Sequence, residues 1–154
     1  MRAITKANDF TFKDLVISYV LHVSSDEKFS MQLLRARKNP VVPPFPFLDD
    51  ILHDTYGVLV FQEQLMEIAQ RIGGFSPEES NDLRRLMAKK YRDGVEERRP
   101  AFVRHAIENG YAETQANALY DLLSDQASNL CGRRNVEIYM AQWLKDEYER
   151  LLQS

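Results

Sequence analysis

Five basic side chains stand close together in the sequence and could bind phosphate: Arg84, Arg85, Lys89, Lys90 and Arg92. A guanidinium group offers planar, paired donors to phosphate oxygens, whereas a lysine ammonium supplies a compact point charge. On one continuous helix Arg85, Lys89 and Arg92 would share a face, where like charges repel unless an anion or acid neutralises them. The cluster therefore predicts a surface for a triphosphate or a nucleic-acid backbone.

This cluster is local, because the whole chain is acidic. Residues 84–104 hold eight Lys/Arg and three Asp/Glu, whereas the full chain of 154 residues has a net charge of −3. A second interpretation stays open: cations near a helix C-terminus favour the helix dipole, Asp82 can pair with Arg85, and charge runs are usually solvated faces. The net charge argues against a generally basic nucleic-acid coat protein.

No other set of residues in the sequence predicts a catalytic or metal-binding site. His22, His53 and His105 are far apart, and Cys131 has no second cysteine at ligand spacing. Adjacent acidic residues on a helix point about 100° apart and form no metal clamp by themselves. Glycine-rich phosphate loops and nucleophile motifs are absent from the sequence. We therefore expect no metal and no cofactor bound by this chain alone.

Length and composition indicate an ordinary globular chain. Its 154 residues suit one domain, residues 1–154, and its 44% hydrophobic and 28% charged residues are typical of soluble proteins. One cysteine cannot form an internal disulfide, and neither a signal segment nor a run of 18 apolar residues is present. We expect a cytoplasmic location and no membrane partner.

Helices must position the basic cluster, because apolar residues recur at helical spacing along the chain. This pattern and its cap signals predict helices over about residues 11–23, 26–38, 48–53, 61–72, 77–89, 95–109, 113–127 and 136 to the end. The clearest boundary is Ser76–Glu79, with an N-cap serine, a first-turn proline and an acid at the third position. Residues 39–46 predict a stiff proline-rich connection, and Pro100 should bend its helix. The fold class predicted is all-α, a compact multi-helix domain.

Several short sequence blocks occur in a fixed order through the middle of the chain. They are Thr55–Gly57, Phe61–Gln64, Met66, Ile68–Ala69, Gly74–Ser76, Leu83–Arg85, Met87 and Lys89–Lys90. Because these blocks occur in this order, the chain resembles the fingers region of bacterial DNA polymerase III alpha subunits, the C-family replicative DNA polymerases. The resemblance is strong over about residues 47–110, weaker over 10–38 and only suggestive over 111–150.

The resemblance implies a helical fingers subdomain that contacts DNA and a deoxynucleoside triphosphate. It implies that Arg84, Arg85, Lys89 and Lys90 face the phosphates of the incoming nucleotide and the primer-template. Further candidates for this binding are Arg92, Gln62, Glu63, Arg133 and Arg134. Gln and Glu on an exposed helix face need no function, so for Gln62 and Glu63 a purely structural role stays open.

The resemblance also limits the expected activity. In this family the catalytic aspartates lie on the palm, upstream of the part that this chain matches, and we expect Mg²⁺ only in a complete polymerase site. The chain alone is predicted to be inactive, and it departs from the family where Ala88 replaces a glycine and Cys131–Asn135 replaces a polar loop. Three hypotheses follow: a polymerase part that works with a separate palm-containing chain, a stand-alone nucleic-acid-binding module, or a non-catalytic helical protein-interaction remnant.

Overall fold

The chain folds into eight α-helices over the residues that a computed structural model describes, 10–41 and 45–153. The helices are α1 (Phe12–Val23), α2 (Glu27–Lys38), α3 (Asp49–Leu52), α4 (Gln62–Arg71), α5 (Pro77–Ala88), α6 (Arg92–Glu108), α7 (Glu113–Gln126) and α8 (Arg133–Gln153). Short 3-10 turns occur at Pro46–Leu48, His53–Thr55 and Ala127–Asn129. These ranges contain no β-strand, and the all-α prediction is confirmed.

Local cap signals fix the start of two helices as predicted. The Ser76 hydroxyl accepts the Glu79 amide at 3.1 Å, and the Glu79 carboxylate accepts the Ser76 amide at 2.8 Å. Thr11 and Asp14 make the same reciprocal pair at the start of α1, with distances of 3.3 and 2.9 Å. Each pair satisfies two donors that the first helical turn cannot satisfy internally.

Three boundaries differ from those that the sequence predicted. Helix α6 begins at Arg92 instead of about residue 95, and α8 begins at Arg133 instead of about residue 136. The first buried apolar residues of these helices are Val95 and Val136, so apolar periodicity overlooks the polar turn before them. The helix predicted over 48–53 is α3 with a 3-10 turn on either side.

Pro100 lies inside α6 without ending it, and residues 42–44 of the proline-rich connection lie outside the described residues.

A left-handed turn at Tyr56 and Gly57 leads the chain towards α4. The φ angles are 59° and 82°, a region that glycine adopts without steric cost. A Cβ atom on Gly57 would lie 1.9 Å from the carbonyl oxygen of Val41. The Val41 amide donates to the Tyr56 carbonyl at 2.9 Å, so the backbones approach closely here.

Two hydrophobic clusters meet at the extended segment Val58–Phe61. One cluster joins α3 to α7, and the other joins α1, α2 and the start of α8. Leu59 belongs to the first cluster, whereas Val58 and Val60 belong to the second. This alternation is the side-chain pattern of an extended chain. An isolated parallel bridge pairs Phe61 with Cys131, and the Cys131 amide donates to the Val60 carbonyl at 3.1 Å.

Only the first part of α8 is covered by the rest of the protein. Val136 and Met140 are buried, but Tyr139 and Leu144, which lie with them at helical spacing in the same apolar stripe, are 53% and 43% exposed. The stripe therefore continues beyond the core. Among the described helices, none combines the length and the apolar character needed to cross a membrane.

Candidate phosphate-binding surface

The basic cluster lies where α5 ends and α6 begins. The Lys89 amide donates to the Arg85 carbonyl at 3.0 Å, and the Lys90 amide donates to the Met87 carbonyl at 3.0 Å. Lys90 has a φ of 56°, which for a residue other than glycine costs of order 1 kcal/mol. The left-handed residue stops the helix and turns the chain, with the side chains of Lys89, Lys90 and Arg92 exposed.

This turn corrects the prediction that Arg85, Lys89 and Arg92 share one helix face. Helix α5 ends at Ala88, and Arg92 is the first residue of α6. The break at Lys90 redirects the chain before Arg92, so a spacing of i, i+4 and i+7 no longer places the three side chains in one row.

The two arginines of α5 are held differently. Arg84 is half-buried and donates from Nε and Nη2 to Oδ1 of Asn81, at 3.1 and 2.9 Å. Because asparagine is neutral, this contact orients the guanidinium group without cancelling its charge. Arg85 is exposed, with its Nη1 3.9 Å from Oδ1 of Asp82. Such an exposed pair contributes little to stability and leaves Arg85 accessible.

Four of the five residues of the basic cluster line one of two depressions, and Arg84 lines neither. We call the first the basic groove; it lies between α5 and α6, has a volume of about 310 Å³ and is lined by Asp82, Arg85, Leu86, Lys89 and Arg98. We call the second the mixed-charge pocket; it has a volume of about 650 Å³ and is lined by Lys90, Arg92, Val95, Glu96, Arg99, Asp121, Ser124 and Asp125. Lys89 and Lys90, though adjacent in sequence, therefore line different depressions.

Arg99 is the most strongly bound cation of this region. Its guanidinium group contacts Glu96 at 2.8 Å and Asp121 at 2.7 Å, and it lies 4.7 Å from the centre of the Tyr120 ring. The hydrogen bonds to Glu96 and Asp121, opposed in part by burial, raise the pKa of Arg99. Burial also raises the pKa of the Tyr120 hydroxyl, which donates to the Val95 carbonyl at 2.6 Å. Arg99 thus joins α6 to α7.

Gln62 and Glu63, the polar candidates of α4, contact the chain just before α8 and its first residue. Nε2 of Gln62 donates to the Leu130 carbonyl at 3.4 Å, and Oε2 of Glu63 accepts the Arg133 amide at 2.8 Å. A carboxylate beside the first amide of a helix satisfies a donor and favours the helix dipole. Glu63 therefore stabilises the N-terminus of α8.

Arg133 is similarly engaged, whereas Arg134 is exposed. Nη1 of Arg133 lies 3.4 Å from Oδ2 of Asp54, and the guanidinium carbon lies 4.6 Å from the centre of the Phe61 ring. These contacts place Arg133 at the junction of α4 and α8, away from the basic cluster at the end of α5. The structure therefore brings Gln62, Glu63 and Arg133 together, as a second group of candidates.

Two polar networks were not predicted from the sequence. In the first, Oε1 of the buried Gln64 accepts the amides of Val60 and Phe61, each at 2.9 Å, and its Nε2 donates to Thr55 and Ile51. Gln64 and Thr55 belong to the short sequence blocks that carry the family resemblance. Their place in those blocks was the sequence signal that could have indicated this network.

The second network surrounds the buried carboxylate of Asp14. It accepts a hydrogen bond from Nε of Arg37 at 2.7 Å and another from the Tyr56 hydroxyl at 3.1 Å. Burial alone would raise the pKa of Asp14, but the hydrogen bonds from Arg37 and Thr11 lower it to about 2. Because its members are distant in sequence, no local pattern indicates this network.

Comparison with known proteins identifies the family of this chain. Residues 1–110 match the family model of the bacterial DNA polymerase III alpha subunit finger domain. The match includes the predicted strong region, 47–110, and the weaker region, 10–38.

Individual relatives lead to the same family. DNA polymerase III subunit alpha of Borreliella burgdorferi is 39% identical over 126 residues, which are 80% of this chain and 11% of that protein. The Treponema pallidum subunit is 34% identical over 122 residues, 78% of this chain and 10% of that protein. The chain thus spans about a tenth of these relatives. It belongs to the finger-domain family of bacterial DNA polymerase III alpha subunits.

Proposed function

We propose that this chain supplies the phosphate contacts of a polymerase fingers region to DNA-directed DNA synthesis in the cytoplasm. Its ligands are then the phosphates of primer-template DNA and of a deoxynucleoside triphosphate. The observation that supports this most directly is the exposed basic surface at the junction of α5 and α6. Within the described parts of the chain, no carboxylate lies within 4.0 Å of the charged groups of Arg84, Lys89, Lys90 or Arg92.

The charge state of this surface favours an anionic ligand. Arg84 is oriented by a neutral amide and Arg85 has only a long contact with Asp82. Unneutralised like charges four residues apart, as at Arg85 and Lys89, destabilise a helix by a few tenths of a kcal/mol for each pair. A phosphate group would remove that repulsion, and the arginines would donate to it in pairs.

We propose that the metal chemistry of nucleotidyl transfer is performed by another polypeptide segment that carries the palm carboxylates. Polymerases use Mg²⁺ held by carboxylates to activate the attacking hydroxyl and stabilise the leaving group. The described residues do not fit such a site, since none of their His, Cys, Asp and Glu side chains form a group of three or more that could hold a metal ion. No catalytic step is therefore assigned to the residues of this chain.

Titration of the purified chain with a labelled primer-template duplex over a range of salt concentrations, and separately with a deoxynucleoside triphosphate, tests this proposal. Binding should weaken as salt rises, because each neutralised phosphate releases counterions. A parallel primer-extension assay with Mg²⁺ and all four nucleotides should give no product. The absence of binding to both duplex and nucleotide would contradict the proposal, and extension by the pure chain would contradict the assignment of catalysis elsewhere.

A second candidate function is a protein contact, and the exposed part of α8 supports it. Ile138, Tyr139, Leu144 and Tyr148 are between 43% and 64% exposed on one helix. Apolar surface of this kind on a polar protein often marks an interaction site. Sedimentation of the chain with a palm-containing polymerase chain, compared with a Tyr139→Ser, Tyr148→Ser variant, would test it.

A further inference from the structure

Arg98 of α6 lines the basic groove together with Arg85 of α5 and Lys89, the residue after α5, although a helix end and a turn separate them in the chain. We propose that Arg98 is the third cation of a phosphate-binding site formed by Arg85, Lys89 and Arg98. The ligand group is a phosphate, either of a nucleic-acid backbone or of a free nucleoside triphosphate. This inference rests on the proposed function and places the phosphate-binding site in the basic groove.

The bonding of Arg98 differs from that of its neighbour Arg99. Arg99 contacts two carboxylates, at 2.7 and 2.8 Å. Arg98 donates from Nη1 to the Gly94 carbonyl at 3.0 Å, and no described carboxylate lies within 4.0 Å of it. The backbone bond holds one edge of the guanidinium group and cancels no charge. Arg98 is thus oriented before a ligand arrives, which reduces the entropic cost of binding.

The charges that line the two depressions favour the basic groove. It is lined by three cations and a single acid, Asp82, whose Oδ1 is 3.9 Å from Arg85. The mixed-charge pocket is lined by Lys90, Arg92 and Arg99 but also by Glu96, Asp121 and Asp125. Its cations and acids are equal in number, and an anion entering it would meet three carboxylates.

An acidic depression next to the basic groove limits where a phosphate can lie. Asp82 and Arg98 also line an adjoining depression of about 290 Å³, whose other lining residues are Phe75, Glu79, Glu97 and Ala101. Carboxylates repel phosphate, so the ligand group is confined to the side of Arg98 that faces Arg85 and Lys89. At about 310 Å³ the basic groove is at the small end of ligand sites, which suits a phosphate group better than a whole nucleotide.

Arg98→Ala and Arg104→Ala make a matched pair of variants for the test. Each variant removes one positive charge from α6. Arg104 is exposed on this helix and lines neither depression, so Arg104→Ala is the control. Binding is measured for fluorescein-labelled duplex DNA over a salt series and, separately, for deoxyadenosine triphosphate by calorimetry. Removal of a charge-assisted hydrogen bond should weaken binding of Arg98→Ala about tenfold, and Arg98→Lys should recover part of it.

The two probes distinguish the source of the phosphate. Weaker duplex binding with a salt slope reduced by about 0.9 would show that Arg98 binds a backbone phosphate. Weaker binding of the free triphosphate would show that Arg98 binds the nucleotide. Equal binding by Arg98→Ala and Arg104→Ala to both probes would overturn the role of Arg98, although wild-type binding would still support the proposed function. Failure of the wild type to bind either probe would overturn both. Circular dichroism checks that the variants remain folded.

Discussion

The side-chain amide of Gln64 donates to the hydroxyl of Thr55 at 2.8 Å, and both side chains are buried. Thr55 donates in turn to the Val58 carbonyl at 2.5 Å. Oε1 of Gln64 accepts the amides of Val60 and Phe61. These bonds satisfy the backbone where the chain leaves the left-handed turn and enters α4, so two polar side chains fix the segment that lies between the hydrophobic clusters.

Gln64→Leu should therefore lower the free energy of unfolding by about 3 kcal/mol, because the buried amides of Val60 and Phe61 would have no acceptor. Urea unfolding followed by circular dichroism measures this change. Gln62→Leu is the matched control: Gln62 is half-buried and makes one long bond of 3.4 Å, so we expect a change below about 0.5 kcal/mol. Equal effects of the two substitutions would refute the assigned role of Gln64.

Asp14 should make the protein sensitive to acid. Its pKa is lowered to about 2 in the folded state from an ordinary value of 3.8. A group with a lowered folded pKa stabilises the protein fully above the unfolded pKa, and this contribution disappears as the pH falls from about 4 to about 2. The decrease in stability should be about 2 kcal/mol. Urea unfolding at several pH values should show this extra acid dependence in the wild type and not in Asp14→Asn.

Lys90→Gly should relieve backbone strain at the turn between α5 and α6. Glycine adopts the left-handed φ of 56° without a Cβ penalty, so this variant should be more stable by about 0.5–1 kcal/mol. Lys90→Ala keeps the strain while removing the ammonium group, and its stability should stay near that of the wild type. Thermal unfolding compares the three proteins, and a Lys90→Gly variant no more stable than Lys90→Ala would argue against strain at this turn.

The sequence predicted the helices well because the signals that start them are local. Ser76 and Glu79 lie within one turn and satisfy each other wherever the helix packs. The same holds for Thr11 and Asp14. Boundaries were missed where a helix begins with polar residues, as at Arg92 and Arg133, since neither a cap nor an apolar residue marks that turn.

The candidate site was predictable only in part, because its geometry depends on packing between distant segments. The basic cluster could be found from residue types alone, but the left-handed conformation of Lys90 and the placement of Lys89 and Lys90 in different depressions could not. The placement of Arg98 beside Arg85 follows from the packing of α6 on α5. Arg133 was predicted as a phosphate candidate, and its ion pair with Asp54 could not be inferred from local sequence.

The double substitution Arg84→Ala, Arg85→Ala tests the proposed function most directly. Neither arginine has a close ion pair: Arg84 contacts the neutral Asn81, and Arg85 lies 3.9 Å from Asp82. Removing both should change stability by no more than about 1 kcal/mol, because the Arg85–Asp82 pair is long and exposed and the Arg84–Asn81 bonds lie within one helical turn. If both arginines bind phosphates, duplex binding should weaken, and the salt slope should fall by about 0.9 for each phosphate that is no longer neutralised.

The control for this experiment must remove the same charge at another place on the surface. Arg104→Ala combined with Arg35→Ala also removes two cations, both from exposed positions, and neither residue lines the basic groove or the mixed-charge pocket. If the basic cluster binds phosphate, only the Arg84, Arg85 variant should show the reduced slope. Equal slopes for the wild type and that variant would instead indicate that Arg84 and Arg85 form a solvated helix face, stabilised by the helix dipole and by water.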